Sequence, residues 1–580
     1  MADNDRDDTS YSSMGPVEER EGATILNPYR KAALSALDEA KLTPFHIKVC
    51  LVAGVGFFTD AYDLFAINIA AIMIGYVYGH VPDHYCRPAL NSAQNLGLRI
   101  ATPVGNLFGQ LFFGWLADKV GRKRMYGVEL IFMIVGTFAQ ATAGGGQAMN
   151  VIAMLVFWRF IVGVGIGGDY PLSATIASEF APTHLRGRMM TAVFASQGGG
   201  NFLASLIGTI LTSAFKDGIK KDFPNDSCLS SCIPGAQLQP LCSASTDSPN
   251  HLDYTWRILL AMGCVPAAIG MYFRLTIPET PRFTMDIERN VVQATEDVRG
   301  ALKPQDVGKA VIVGQQVEAP RATREDFFRH FGQWKNLRVL VGTSVSWFCI
   351  DVAFYTLGLN ASLILDAIGF GASGNVYETL RLLCIGNLIL SVAGLIPGYW
   401  ICFLFIDRWG RRPIQFMGFA VLTVLFSIMG FALKSLVKLD NPSQTAGTKF
   451  FVFLFCLANL FQNFGPNTTS FIIPGEIFPT RYRATAYGIS AAAGKLGAIV
   501  AQLMFNSLVD PVNNPKKFLD HSFEILALFM LIGLFSTMLV PETMGKSLEV
   551  LSNEDQEGFM RPPARPVRVE GGLVIPMRPL

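Results

Sequence analysis

Charge is what this sequence has least of: Asp, Glu, Lys and Arg make up 16% of its 580 residues, too little to clothe a water-soluble body of that size. A hydrophobic content of 51% and a mean hydropathy of +0.35 point the same way, to an integral membrane protein in contact with a lipid bilayer. The net charge of +2 is spread along the chain with no basic domain, which argues against nucleic acid as a partner. Histidine numbers only seven, without a cluster or an H-E-x-x-H, and none of the ten cysteines forms a C-x-x-C pair. Neither a metal nor another cofactor is therefore expected. No nucleophile-base pair or metal-ligand spacing appears, so no catalytic residue is assigned and an enzyme is disfavoured. Residues 1–44 are polar and acid-rich (MADNDRDDTSYSSMGPVEERE) and lack the charged-then-apolar pattern of a secretory signal. They read as a cytoplasmic tail without fixed structure.

What the chain has in abundance is long apolar runs, near 45–76, 97–117, 125–145, 150–178, 188–214, 256–277, 338–365, 380–406, 414–434, 449–474, 486–508 and 522–540. These predict an all-α membrane protein of twelve transmembrane helices, divided six and six into bundles at 45–277 and 338–541, with a central loop at 278–337 and a tail at 542–580. With both termini inside, the inner loops hold DKVGRKR (118–124), THLRGR (183–188), DRWGRR (407–412) and TRYR (480–483), while the outer loops 143–150 and 366–380 carry no Lys or Arg. The positive-inside rule is satisfied.

Internal repetition supports the same division. LADKVGRKR around Asp118 recurs as FIDRWGRRP around Asp407, EFAPTHLR (179–186) as EIFPTRYR (476–483), and PET at 278–280 as PET at 541–543. Two parallel repeats facing each other place a substrate site at their interface near the bilayer midplane. The central loop is mixed in charge and suits a cytoplasmic linker; its end, DFFRHFGQWKN (326–336), puts Phe327, Phe328, Phe331 and Trp334 on one face of a predicted interfacial helix. The outer loop 215–255 holds Cys228, Cys232 and Cys242, another outer loop holds Cys86, and three disulfide pairings remain open among these four. Asn225 begins an N-D-S sequon on that face. Beyond about residue 545 the tail (RPPARPVR) reads as disordered; both tails and the central loop are the segments open to regulatory proteins.

The polar residues inside the apolar runs are the functional candidates, because a charge at membrane depth is costly unless it is paired, neutralised or facing a water-filled cavity. The stretch GGDYPLSATIASE (167–179) sets Asp169, Tyr170 and Pro171 behind two glycines; a kink with a buried, satisfied acid is the plainer reading of it. In the seventh run Trp347, Asp351 and Tyr355 stand four residues apart and project from one helix face. Asp60 and Asp63 lie in the first run, Glu129 in the third and Arg159 in the fourth. Buried acids beside a cation make reversible proton carriers, and the alternative reading is a fixed buried salt bridge. At the inner helix ends Asp118, Gly121, Arg122, Glu179 and Arg186, with their repeat mates Asp407, Gly410, Arg411, Glu476 and Arg483, read as a cytoplasmic gate whose charges pair only where those ends meet.

The Asp-x-x-Gly-Arg loops, the repeated E-x-x-P-T-x-x-R and the paired PET segments resemble the major facilitator superfamily, near its sugar-porter branch, over residues 45–545. Within it, GGDYPLSATIASE, WFCIDVAFYTLGLN (347–360) and FQNFGPNTTSFIIPGEIFPTRYRATAYGISAAAGK (461–495) resemble the inorganic phosphate:H+ symporters of fungi and plants, and the central loop favours the fungal high-affinity members. The resemblance implies import of phosphate with protons across the plasma membrane. It places Tyr170, Gln197, Trp347, Asp351, Tyr355 and Asn467 around phosphate, with Asp169 and Lys495 close by. Phenol, indole and amide donate to unprotonated oxygens, whereas the Asp351 carboxylate can only accept, and so takes a phosphate hydroxyl that sulfate lacks. Resemblance to proton-linked relatives makes Asp63 and Arg159 the coupling pair, with Asp60, Glu129, Asp169 and Asp351 extending the proton path. Two rival readings stay open: a proton-coupled transporter of a sugar or another anion on the same fold, and a phosphate receptor with little transport.

Overall fold

The computed structural model describes residues 34, 37–79, 88–223, 250–287, 323–368, 370, 375–436, 446–509, 518–552, 567–570 and 573–576. Six long helical segments make the first half: α1 (Pro44–Tyr78), α2 (Ser92–Val120), α3 (Val128–Ala141), α4 (Val151–Phe180), α5 (Arg186–Ala214) and α6 (Asn250–Arg274). The second half repeats them as α7 (Trp334–Ala367), α8 (Val376–Trp409), α9 (Arg411–Leu436), α10 in two pieces (Ala446–Asn463 and Pro466–Ile477), α11 (Arg483–Val509) and α12 (Leu519–Ser536). Among the described residues eight of these are long and apolar enough to cross a membrane outright, and α5 with the short helix Lys216–Asp222, bent by 67°, makes a ninth. The other three depart for visible reasons. α2 dilutes its apolar residues with buried Asn95, Arg99, Asn106 and Gln110, α3 spans only 14 residues, and α10 breaks at Gly465 ahead of Pro466, which cannot donate a backbone hydrogen bond.

The helices divide by what they bury. Along α1 and α7 most of the apolar span is inside the protein, whereas α3, α6, α9 and α12 leave Phe138, Tyr272, Phe431 and Phe535 exposed. An apolar belt of that kind suits lipid, not water. The bundles meet where α2 packs against α11 and α5 against α8, with α4 touching both α2 and α11. Small residues permit the closest approaches: a Cβ on Gly167 of α4 would stand 2.3 Å from the Asn106 carbonyl of α2.

Three expectations change. The N-terminal tail is not wholly structureless, since Leu34 and Leu37 are buried and Asp38 joins an ion-pair network. The C-terminal tail likewise packs a short helix, Leu548–Leu551, before a hairpin of Val567–Glu570 with Leu573–Pro576. Near the end of the central loop, helix Arg324–Phe331 stops at Gly332, so the four aromatics do not share one face. Phe327 packs on Tyr482 and Phe331 on Phe478, while Phe328 and Trp334 face outward, Trp334 already opening α7. Cys86, Cys228, Cys232, Cys242 and Asn225 lie outside the described residues.

Because the contacts at Gly167 are to backbone, which cannot move aside, Gly167→Ala is expected to cost about 1–3 kcal/mol of stability. Gly144→Ala, with nothing within 4 Å of the added carbon, is the control that should leave the melting temperature in detergent unchanged.

Candidate functional site

The two halves enclose a buried polar centre. Lys495 of α11 donates to the Asp351 carboxylate of α7 at 2.8 Å and to the Tyr355 hydroxyl at 2.9 Å, and its ammonium lies 4.9 Å from the centre of the Tyr170 ring. Both charges are 1% exposed. A pair so deep holds only if each partner stays, because losing one strands the other in low dielectric. Trp347, one turn from Asp351, faces the same carboxylate, and its ring lies 6.3 Å from that of Tyr170. From the first half, Gln197 donates to the Tyr170 hydroxyl at 2.8 Å. From the second, Asn467 donates to Tyr399 at 3.1 Å and to Asn463 at 2.7 Å. Tyr399 closes the circuit by donating to Gln197 at 3.4 Å. Sequence reasoning missed Tyr399, whose only signal is a phenol in the apolar run of α8.

Seven of the eight residues expected around substrate thus converge, and the eighth, Asp169, turns away from the lysine. It joins Glu129 on Arg274, a residue of α6 that the sequence reading overlooked because it closes an apolar run like any flanking cation. Arg274 meets Asp169 at 2.6 Å, pairs with Glu129, and lies 4.4 Å from the centre of the Tyr126 ring. Ser173 donates to the other Asp169 oxygen, and the Gly127 amide donates to Glu129. Asp60 is buried with neither oxygen hydrogen-bonded. The expected pairing of Asp63 with Arg159 is not formed: Asp63 accepts from Thr137 at 2.9 Å, and Arg159 donates to the Leu98 carbonyl at 2.7 Å. Their charges still act on each other, and one guanidinium nitrogen of Arg159 is buried without a hydrogen-bond partner.

At the end of the molecule that carries the basic loops, the eight gate residues meet, and the carboxylates do more than pair. Asp118 bonds Arg122 at 3.1 Å and accepts from the amides of Ala484 and Thr485, in the first turn of α11 across the bundle interface. Asp407 repeats this, bonding Arg411 at 2.8 Å and accepting from the Arg188 amide in the first turn of α5. Each carboxylate therefore caps a helix of the other bundle, where free amides and the helix dipole favour a negative charge. Glu179 bonds Arg483 at 2.6 Å and Arg122 at 3.5 Å, and Glu476 bonds Arg411 at 2.8 Å. Gly121 and Gly410 turn these loops at φ +116° and +96°, a backbone that favours glycine. Glu279 and Glu542 of the repeated PET segments then accept from the amides of Lys123 and Arg411.

Arg186 pairs with Asp38, and Arg282 joins Asp38, Glu549 and the Glu179 carbonyl, so both tails close on the gate. Burial works against the charge of Arg282, but Glu549 and Asp38 outweigh it and hold the guanidinium above its ordinary pKa. Burial likewise raises the Glu279 carboxyl, with the Thr280 amide and Arg122 pulling the other way. At the opposite end Asn68 bonds Asn387 at 2.8 Å, Arg99 bonds Asn360 at 3.3 Å and Ser391 bonds Asn201 at 3.0 Å, again across the halves. The centre is closed on both sides.

Residues 49–554 match the family described as Sugar (and other) transporter. The chain belongs to that family. A protein of Neurospora crassa named repressible high-affinity phosphate permease is 43% identical to this transporter over 547 residues, 91% of the chain and 90% of that protein. Inorganic phosphate transporter PHO84 of Saccharomyces cerevisiae is 43% identical over 545 residues, 90% and 87% of the two. The solved structure of the proton:xylose symporter XylE, bound to 6-bromo-6-deoxy-D-glucose, superposes with a TM-score of 0.64 at 19% identity, over 88% of this chain and 99% of that one. At that identity the likeness carries the fold, that of the major facilitator superfamily, and this transporter is a multi-pass membrane protein of twelve helices.

The buried pair gives a direct test. Lys495→Met alone should strand the Asp351 charge and lower the melting temperature in detergent more than Asp351→Asn with Lys495→Met together, since breaking a buried pair costs about 3–5 kcal/mol while removing both charges costs far less.

Proposed function

We propose that the transporter imports inorganic phosphate with protons by alternating access, its basic end facing the cytoplasm and its termini on that side of the plasma membrane. The observation that carries this reading is the buried ammonium of Lys495, shared by Asp351 and Tyr355 among neutral donors, in a chain 43% identical to proteins named as phosphate permease and transporter. Gln197, Asn467, Trp347 and the phenols of Tyr170 and Tyr355 can donate to the oxygens of a small anion, and a carboxylate facing the same space selects an anion that still has a proton to give. A sugar would find one fixed charge pair and little amide to bond its many hydroxyls. The division at 278–337 separates two bundles that rock about this centre, and the gate holds while the outer side is open.

Protons enter the reading through the acids beside the site. Asp169 and Tyr170 are neighbours on α4, so the Arg274 network and the substrate donors share one helix. Glu129 and Asp169 compete for one guanidinium, and Asp60, without a partner, is the carboxyl free to exchange a proton once the cavity opens. Asp63 and Arg159, whose charges act on each other without a direct bond in this closed form, are the pair that couples this exchange to transport. Release of Lys495 from Asp351 by the arriving anion is the step that links the two.

The deciding experiment is uptake of radiolabelled phosphate by proteoliposomes of the purified chain under an imposed pH gradient. Accumulation that follows the gradient is expected; binding without accumulation would make the protein a receptor, and competition by glucose would make it a sugar carrier. In the same assay Asp351→Asn should weaken phosphate binding by about 1.5–3 kcal/mol, the worth of a hydrogen bond to a charged group. Sulfate should compete better with the variant than with the parent. Sulfate excluded as strictly as before would place selection on Tyr170, Gln197 and Asn467.

A further inference from the structure

On the basic-end side of the central site lies a closed circuit of aromatic rings, of which the transport reading uses only Tyr170 and Trp347. Phe57 of α1 meets Tyr170 of α4 at 4.9 Å between ring centres, Tyr170 meets Trp347 of α7 at 6.3 Å, and Trp347 meets Tyr487 of α11 at 5.5 Å. Tyr487 meets Phe471 of α10 at 6.1 Å, and Phe471 returns to Phe57 at 5.1 Å. Five helices from both halves each contribute one ring, and all five rings are buried.

The circuit lies on the gate side of the site. Tyr487 is eight residues nearer the start of α11 than Lys495, roughly 12 Å along the axis at 1.5 Å per residue, and that start is held by Asp118 and Glu179. Phe471 is four residues beyond Asn467 toward the same end, and Trp347 one turn before Asp351. An anion leaving for the basic end has to pass these rings.

The polar atoms of the circuit differ in one respect. The Tyr170 hydroxyl is engaged by Gln197 and the Trp347 indole faces Asp351, but the Tyr487 hydroxyl, fully buried, has no hydrogen-bond partner. Ser470, the residue before Phe471, Thr175, five residues beyond Tyr170 toward the gate, and Gln110, whose backbone packs on Gly488 next to Tyr487, also carry buried polar atoms without hydrogen-bond partners. A protein rarely buries donors it never satisfies, and four hydroxyl or amide groups on four helices around these rings fit a route that is lined only when it is open.

We propose that Phe57, Tyr170, Trp347, Phe471 and Tyr487 form an iris that seals the central site from the cytoplasmic gate, and that the Tyr487 hydroxyl donates to a phosphate oxygen as the iris opens. The rings exclude water and ions while the site is occupied. The phenol then offers the departing anion a donor inside the constriction, and Ser470, Thr175 and Gln110 beside the rings add neutral groups too weak to retain it. Lys495 holds phosphate and Tyr487 lets it go.

The inference rests on phosphate being the substrate, and full-length protein in proteoliposomes separates the two claims. Tyr487→Phe keeps the ring and removes the hydroxyl: phosphate affinity should stay within about twofold of the parent while the maximal uptake rate falls at least about fivefold. Phe471→Ala removes a ring and no donor, and should instead raise downhill phosphate leak that no longer responds to the pH gradient. A Tyr487→Phe variant with the parental rate would overturn the hand-over role, and one whose affinity falls as far as its rate would put the hydroxyl in the central site. Phe471→Ala without leak would overturn the iris. If the parent itself moves no phosphate, the substrate reading fails, and the other outcomes are then read with the solute it does move.

Discussion

The closed form depends on carboxylates that reach across from one bundle to cap helices in the other. Asp118 holds the first amides of α11 and Asp407 an amide at the start of α5, so each half supplies an anion where the other half exposes unsatisfied donors. Guanidiniums are layered on this frame, Arg483 with Glu179 and Arg411 with Glu476. Taken singly such contacts are weak, but here they are buried and share partners, so sliding one helix end breaks several together. That cooperativity gives the rocking motion two discrete positions.

The centre is built on the opposite principle. Only one cation and one acid face each other, and the surrounding groups are neutral hydrogen-bonders from both halves, linked through Tyr399. Lys495 is thus held by one carboxylate and one phenol. The costlier charges sit in the Arg274 cluster, whose Asp169 is the neighbour of Tyr170 along α4 but bonds Arg274 and not Lys495.

Much of this was legible in the sequence, for reasons that differ by residue. Hydropathy located the helices because a bilayer demands long apolar runs, and four-residue spacing put Trp347, Asp351 and Tyr355 on one face. The repeated loops exposed the gate, since two copies of one motif seldom serve two purposes. Partner choice was hidden. Nothing in the spacing of Asp63 and Arg159 says that Thr137 and the Leu98 carbonyl would claim them, and Arg274 looks like any cation closing an apolar run. The tails misled for a related reason: polar composition hides that Asp38 finds Arg186 and Arg282, which it does only in the assembled fold.

The junction of Asp38, Arg282 and Glu549 also orders the protein in time. Its members come from the segment before the first helix, the stretch after the sixth and the segment after the twelfth, so it can close only once the last helix has been synthesised and inserted. Until then the first bundle displays Asp118, Glu179 and Arg186 with none of the partners they take from the second half or the C-terminal segment. A chain cut short at the central loop is therefore marked by uncovered, only partly paired charge at the membrane surface, and completion of the polypeptide is itself the event that conceals it.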